Sequence, residues 1–208
     1  SFIAIISTPA PSVIGTDFKA LTRVLRGRTE LPVFAVETNG MELYDKGQEK
    51  AYMELFKTFA KDKTGQGQMP DIGIIGATPL DMPGLHSAEY ITGLLKDWGY
   101  KKPACYGMGA GLEEIKKAGE GVCNLVVSPS GLKPAKFLKE KFGTPYIAGF
   151  PFAGTEDALR IKIKEAAAGN DDRHNNINAH AAVNMASADD NDRLLVINQQ
   201  VVANALRE

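Results

Sequence analysis

Cysteine is scarce in this chain, with Cys105 and Cys123 the only two among 208 residues. That number excludes the disulfide framework of a small secreted domain and leaves a reducing cytoplasm as the default compartment. Two thiols also cannot furnish the four ligands an iron–sulfur cluster ordinarily takes, unless a partner chain supplies the rest. Histidine is nearly as sparse, with three residues. Neither sign of charge dominates: the formal net charge is −1 and no basic tract occurs, so nucleic acid and anionic membrane are not expected partners. No apolar run approaches the roughly 20 residues that span a bilayer. The N-terminus lacks the charged-then-apolar pattern of a signal peptide. Phe2–Ile6 already reads as a core strand, an abrupt start expected of a chain that begins mid-protein.

The chain does have short apolar runs alternating with amphipathic segments. The runs Phe2–Ser7, Pro32–Glu37, Asp71–Gly76, Ala104–Gly107, Cys123–Ser128, Tyr146–Phe150 and Arg193–Asn198 are continuous rather than alternating, as parallel strands covered on both faces should be. Helical spacing predicts helices over Thr16–Arg26, Gly47–Lys61, Ser87–Trp98, Leu112–Ala118, Lys133–Phe142 and Thr155–Ala168. Ser87 is read as an N-cap and Gly99 as a stop. Repeated βα units imply an α/β fold with a Rossmann-like, doubly wound and mostly parallel sheet over residues 1–169. Residues 170–192, rich in Asn, Asp, His and Ala, read as a linker with a short helix around Ala179–Met185. Residues 193–208 read as one strand and the opening of one helix. That unit either adds to the preceding sheet or begins a following domain, and the length and composition of the linker favour the second.

Turns at the carboxyl ends of parallel strands are where such folds place ligands. Ser7–Asp17, after the first strand, carries prolines and hydroxyls but no cysteine or histidine. The loop Gly76–His86 contains Thr78, Asp81 and His86, of which the last two could serve as acid, base or ligand; a loop histidine is more often simply solvated. Gly107-Met108-Gly109-Ala110-Gly111 could cradle a phosphate, but Leu112 breaks the G-x-G-x-x-G spacing and a plain turn is the simpler reading. Ser128-Pro129-Ser130-Gly131 could cap the next helix. The two cysteines read as small hydrophobes, His174 and His180 as parts of a solvated linker, and Lys136, Lys139 and Lys141 as an exposed helix face.

Four stretches carry a resemblance to a known family. Ile5-Ile6-Ser7-Thr8 with Ile14-Gly15-Thr16-Asp17 is similar to a strand and Ile-Gly-Asp-Asp turn. Leu31-Pro32-Val33-Phe34-Ala35-Val36 with Gly40-Met41 is similar to its Pro-Val and Gly-Phe segment. Asp71–Gly76 with Trp98-Gly99-Tyr100, and Asn124-Leu125-Val126-Val127 through Phe137–Tyr146, match two further βα units. A fifth, Arg193 to Arg207, resembles the opening of its last domain. The family is the nitrogenase component 1-type oxidoreductases: molybdenum–iron protein subunits, cofactor-assembly scaffolds and protochlorophyllide reductase subunits.

The resemblance implies the middle Rossmann-like domain of a larger subunit. That subunit would work with a homologous partner subunit and receive electrons from an ATP-driven iron–sulfur reductase. It would pass them to a bound cluster or a tetrapyrrole. The resemblance also implies that the turn bearing Ser128 and Ser130 faces the cofactor or substrate cavity; Thr78 and His86 join them as candidate cofactor-binding residues from their place in a loop at the carboxyl end of a strand. The cluster-ligating cysteine of the first turn aligns with Pro9, and a second ligand cysteine with Val127, preceded by Val126 where a histidine would stand. Gly47-Gln48-Glu49 lies near the place of a histidine pair. No cofactor is therefore expected in this fragment itself; an iron–sulfur or related cluster belongs to the full-length complex. Two functions follow: a framework part of an oxidoreductase, contributing cavity walls and subunit contacts, or a non-catalytic binding or cofactor-assembly module. An unrelated flavodoxin-like or periplasmic-binding-like domain is the third reading, and no phosphate loop or dinucleotide fingerprint supports it.

Overall fold

The computed structural model describes residues 1–61, 71–82, 84, 86–152 and 154–169. The linker, strand and helix expected over 170–208, with His174 and His180, lie outside them. The elements run in the order β1 (Ile3–Ile6), α1 (Pro9–Val13), α2 (Phe18–Arg26), β2 (Val33–Val36), α3 (Tyr44–Phe59), β3 (Ile72–Ile75), α4 (Ser87–Asp97), β4 (Ala104–Cys105) and α5 (Leu112–Lys116). They continue with β5 (Cys123–Val126), a 3-10 turn (Pro129–Gly131), α6 (Leu132–Phe142), β6 (Tyr146–Ala148) and α7 (Glu156–Ala167).

Among the described residues every strand pairing is parallel, and the strands divide between two sheets. β1 pairs with β2, and β4-β3-β5-β6 forms a four-stranded sheet. Alternation along the strands sorts the side chains of the larger sheet. Ile72, Ile74, Cys105, Cys123 and Leu125 face a cluster with Ile91 and Leu95 of α4 and Leu159 and Ile163 of α7. Ile75, Ala104 and Val126 face the opposite cluster with Phe56 of α3, Ile115 of α5 and Leu138 of α6. Helices thus cover both faces, which is why β3 and β5 are apolar at nearly every position.

α3 is the layer shared by the two sheets. Phe2, Phe34 and Phe59 form an aromatic trio with centroids 5.2–6.1 Å apart, fastening β1 and β2 to α3. Tyr52, Phe56 and Tyr106 continue the aromatic contacts toward β4. A two-stranded sheet is marginal by itself, so this attachment holds β1 and β2 in place.

Local chemistry accounts for most boundaries. Gly99, at φ +101, ends α4 as expected, with its N–H and that of Tyr100 donated to Lys96 and Leu95 carbonyls. The N-cap of α4 is His86 rather than Ser87, and no side chain closes it. α3 begins at Tyr44, three residues before the expected Gly47, and its cap residue Leu43 offers no side-chain acceptor. The Ser7–Asp17 turn contains the short helix α1, opened by Pro9 at a position where a missing N–H costs nothing. Asp17 then caps α2, accepting the Ala20 N–H at 2.8 Å.

Candidate functional site

In the four-stranded sheet, β3 lies between β4 and β5, so the chain leaves β3 first toward one edge and later toward the other. The carboxyl ends of β3 and β5 therefore form a topological switch point, the place where open α/β sheets bind ligands. The expected site residues Thr78, Ser128 and Ser130 all come from the two turns that leave these ends.

The turns meet backbone to backbone. Gly76 has φ +94, and a Cβ there would lie 2.5 Å from Ser128 Oγ and 3.0 Å from the Ser128 nitrogen. Gly131 is pressed on β3 in the same way, its Cβ position 2.8 Å from the Ile75 carbonyl oxygen. Ser128 Oγ donates to the Gly76 carbonyl at 2.8 Å and shares a 2.9 Å hydrogen bond with Ser130 Oγ. Both serines are buried, at 8% and 1% exposure, so their hydroxyls brace the junction.

Thr78 sits half-buried in a second polar group. Gln48 Nε2 donates to Thr78 Oγ1 at 2.7 Å, and Thr78 Oγ1 donates to Asp81 Oδ2 at 2.9 Å. Tyr44 OH donates to Asp81 Oδ1 at 2.9 Å. Tyr52 reaches the Ala77 carbonyl at 3.3 Å, and burial pushes its phenol well above the ordinary range, keeping it a neutral donor. Lys133 of α6 pairs with the buried Glu49 of α3 at 2.7 Å, closing the edge from α3 to α6. Asp45 Oδ1 and Gln48 Oε1 are buried and accept no hydrogen bond from the described residues. The α3 residues Tyr44, Gln48 and Tyr52 were not expected as contributors. The signal for them is Gly47-Gln48-Glu49, which falls inside α3 once the helix starts at Tyr44.

His86 does not join this group. It is exposed at the start of α4, its Nδ1 2.7 Å from Glu89 Oε2. Other candidates separate similarly. The Gly111 N–H, at the mouth of the suggested phosphate cradle, is taken by Glu114 Oε2 at 3.0 Å. Cys105 and Cys123 are buried and form no disulfide, and burial pushes the Cys105 thiol up, away from the thiolate that binds metals. Among the described residues no group of three or more His, Cys, Asp and Glu could hold a metal ion.

A groove of about 620 Å³ opens at the carboxyl ends of β1 and β2, lined by Ser7, Ser12, Thr16, Glu37, Asn39 and Glu49 among others. Ser7 and Thr38 lock its floor: Ser7 Oγ accepts the Thr38 N–H at 2.7 Å, and Thr38 Oγ1 donates to the Ser7 carbonyl at 2.5 Å. Pro9 stands beside it in α1, packed on Gly40, whose φ is +71 and whose Cβ position lies 2.4 Å from Pro9 Cγ. Val127 continues the β5 ladder, donating to the Ile75 carbonyl at 3.0 Å.

The family described as nitrogenase component 1 type oxidoreductase matches residues 1–179. The chain belongs to this family. A subunit of the light-independent protochlorophyllide reductase of Nostoc punctiforme is 32% identical over 112 residues, covering 53% of this chain and 22% of the relative. Its counterpart in Trichormus variabilis is 31% identical over 116 residues, covering 55% and 23%. The chain thus spans under a quarter of the length of these curated relatives. A solved structure of "Nitrogenase Cp1 at pH 6.5" superposes with a TM-score of 0.62 at 16% identity, covering 79% of this chain and 40% of that one. "Nitrogenase Cp1 at pH 5" gives 0.60 at 19%, covering 80% and 36%. At such identities the likeness concerns the fold alone, and that fold is the parallel α/β arrangement described above. No helix among the described residues is long and apolar enough to cross a membrane.

Proposed function

We propose that this chain serves a nitrogenase component 1-type oxidoreductase, or a related scaffold protein, as a framework part. It supplies cavity walls and subunit contacts and lacks the usual cluster-ligating cysteines. The reading is supported by the family match across residues 1–179, taken together with the motif resemblance, which puts Pro9 and Val127, side chains without a donor atom, where ligand cysteines would stand. Any iron–sulfur or related cluster of the complex would then take its ligands from elsewhere in the full protein or from a homologous partner subunit. An ATP-driven iron–sulfur reductase would be the electron donor, and the cytoplasm the compartment.

The cavity-facing wall is the switch-point edge. Thr78, Ser128 and Ser130 are the residues proposed to line it, and His86, exposed at the start of α4 outside this polar group, is proposed to reach the bound group from its rim. Ser128 and Ser130 act through the rigidity of their turns, and Thr78 through its link to Gln48 and Asp81. Asp45 Oδ1 and Gln48 Oε1 support this placement, because a buried acceptor left bare is unfavourable and calls for a donor.

Anaerobic iron quantitation and absorption spectra of the full-length protein test the proposal. Bound iron–sulfur absorbance that survives replacement of Cys105 and Cys123 by serine agrees with ligands supplied from outside this stretch. Iron lost on replacing either cysteine refutes the framework role. A colourless protein that still binds its partner subunit favours the non-catalytic binding or assembly module on the same fold.

A further inference from the structure

β1 and β3 carry nearly the same apolar run, Ile-Ala-Ile-Ile and Ile-Gly-Ile-Ile, yet their burial differs sharply. β3 lies between two strands, and all four of its residues are buried. β1 has one neighbour: Ile3 and Ile5 are half-buried, Ala4 and Ile6 are exposed, and Ile6 leaves 68% of its surface in solvent. A continuous apolar run of this kind is the mark of an interior strand. The backbone shows the same shortfall. Ile3 and Ser7 donate their N–H groups to the Pro32 and Val36 carbonyls on the β2 side. In a parallel ladder such donors alternate along the strand. Ala4 and Ile6 therefore turn their N–H and C=O groups to the outer edge, where no described strand stands. The two edges of this small sheet are not alike. At the outer edge of β2 the Arg26 guanidinium donates twice to the Val33 carbonyl, at 2.9 and 2.7 Å. A charged side chain set there bars a further strand. The edge of β1 has no such guard, since Phe2–Ser7 contains neither a charged residue nor proline.

We infer that the outer edge of β1 is the docking site for one further β-strand, supplied by the same subunit from outside residues 1–208. The chain covers 22–23% of the curated relatives and 36–40% of the solved structures it resembles, so most of such a subunit lies beyond it. The added strand pairs in parallel with Ala4 and Ile6, about 4.8 Å from β1. It is itself a short, continuous run rich in Val and Ile, because α3 already covers one face of this layer through the Phe2, Phe34 and Phe59 contacts. Main-chain hydrogen bonds supply the affinity, and side chains laid beside Phe2 and Ile6 supply the specificity. The pairing also turns a marginal two-stranded ribbon into a three-stranded sheet, the size at which such layers become stable. The inference goes beyond the framework reading and does not depend on it, since the edge is open whether or not the complex holds a cluster.

Hydrogen exchange on the full-length subunit, resolved to single amides, tests this. The expected result is that the Ala4 and Ile6 amides exchange about 100-fold or more slowly than in an open chain, as Ile3 and Ser7 do, and that dilution leaves this unchanged. Open-chain exchange at Ala4 and Ile6 beside protected Ile3 and Ser7 overturns the inference. Protection that falls on dilution also overturns it, because that marks a second copy on the edge. Ala4→Pro removes only an outward N–H and suits an edge strand. In that variant Ile6 should exchange at least about tenfold faster while Ser7 stays protected, and an unchanged Ile6 overturns the inference. Should the variant fail to fold, the unaltered subunit decides, by its exchange pattern and by its structure. A strand from outside residues 1–208 seated on β1 supports the inference; Arg193–Asn198 or bare solvent in that place overturns it.

Discussion

Replacing Gly76 with alanine should be among the most damaging single-methyl changes in this protein. Gly76 holds φ +94, and the new Cβ would sit 2.5 Å from Ser128 Oγ, 3.0 Å from its nitrogen and 3.2 Å from its carbonyl oxygen. Placing an L-residue at that dihedral costs about 1–2 kcal/mol. Overpacking against backbone that cannot swing away adds about 1–3 kcal/mol. Displacing Ser128 breaks its 2.8 Å bond to the Gly76 carbonyl, worth about 1 kcal/mol. The smaller entropy of the unfolded alanine chain returns about 0.5 kcal/mol. The net loss is about 3–5 kcal/mol, a large share of the 5–15 kcal/mol typical of a folded domain.

Urea unfolding of the full chain, followed by circular dichroism, would read this as a midpoint lowered by about 1.5–2.5 M for a slope near 2 kcal/mol/M. Gly109→Ala is the control. Its φ is +92, almost the same, but nothing lies within 4 Å of the added carbon, so only the dihedral cost of about 1–2 kcal/mol applies. The double variant Gly76→Ala with Ser128→Ala should recover part of the loss, because the 2.5 Å contact disappears while the backbone contacts stay. Equal losses for Gly76→Ala and Gly109→Ala would refute the claim that the two turns touch backbone to backbone.

Two further outcomes follow from the electrostatics. Burial raises the phenols of Tyr52 and Tyr106 and the thiol of Cys105, so in the folded chain these groups hold their protons to higher pH than in the unfolded chain. Their contribution is complete below the unfolded values, about 9 to 10, and is lost as pH rises beyond them; a pH series of unfolding midpoints should fall on the alkaline side, and less steeply in Tyr106→Phe. Lys133→Ala should cost about 1–3 kcal/mol, because Glu49 is left buried without its ion partner, whereas Lys50→Ala, from a pair with Glu42 that is about 40% exposed on each side, should cost under about 1 kcal/mol; equal effects in thermal unfolding would refute the difference in burial.

The sequence was most legible where the signal is local. The continuous apolar runs at Ile72–Ile75 and Cys123–Val126 became central strands because both of their faces are covered, and the Tyr52, Phe56 and Phe59 stripe became the buried face of α3. Thr16–Arg26 was only half legible. Phe18 is buried, but Leu21 and Val24 of the same helical pattern are 38% and 50% exposed, since α2 packs on a two-stranded sheet too small to cover them. The strands are shorter than the apolar runs that signalled them, because turns such as Gly76-Ala77 leave the ladder while staying buried. Within the candidate site, Thr78, Ser128 and Ser130 could be named from their positions after strands. Gln48, Tyr44 and Tyr52 were not named, because they lie more than 20 residues from their partners and the one local signal, Gly47-Gln48-Glu49, points to the site only once α3 is known to start at Tyr44.

Sequence by itself determined the α/β class, the parallel character of the strands, the approximate places of most elements within residues 1–169 and the family resemblance, because hydrophobic period, turn residues and short motifs act over a few neighbouring positions. Tertiary structure alone decided that the strands split into two sheets with β3 and β5 at the switch point. It also decided that Gly76 meets Ser128, and that Tyr106 and Asn124 face each other over Gly73. These are contacts between residues tens of positions apart, and their geometry follows from strand order and the packing of α3 across both sheets, which no local pattern encodes.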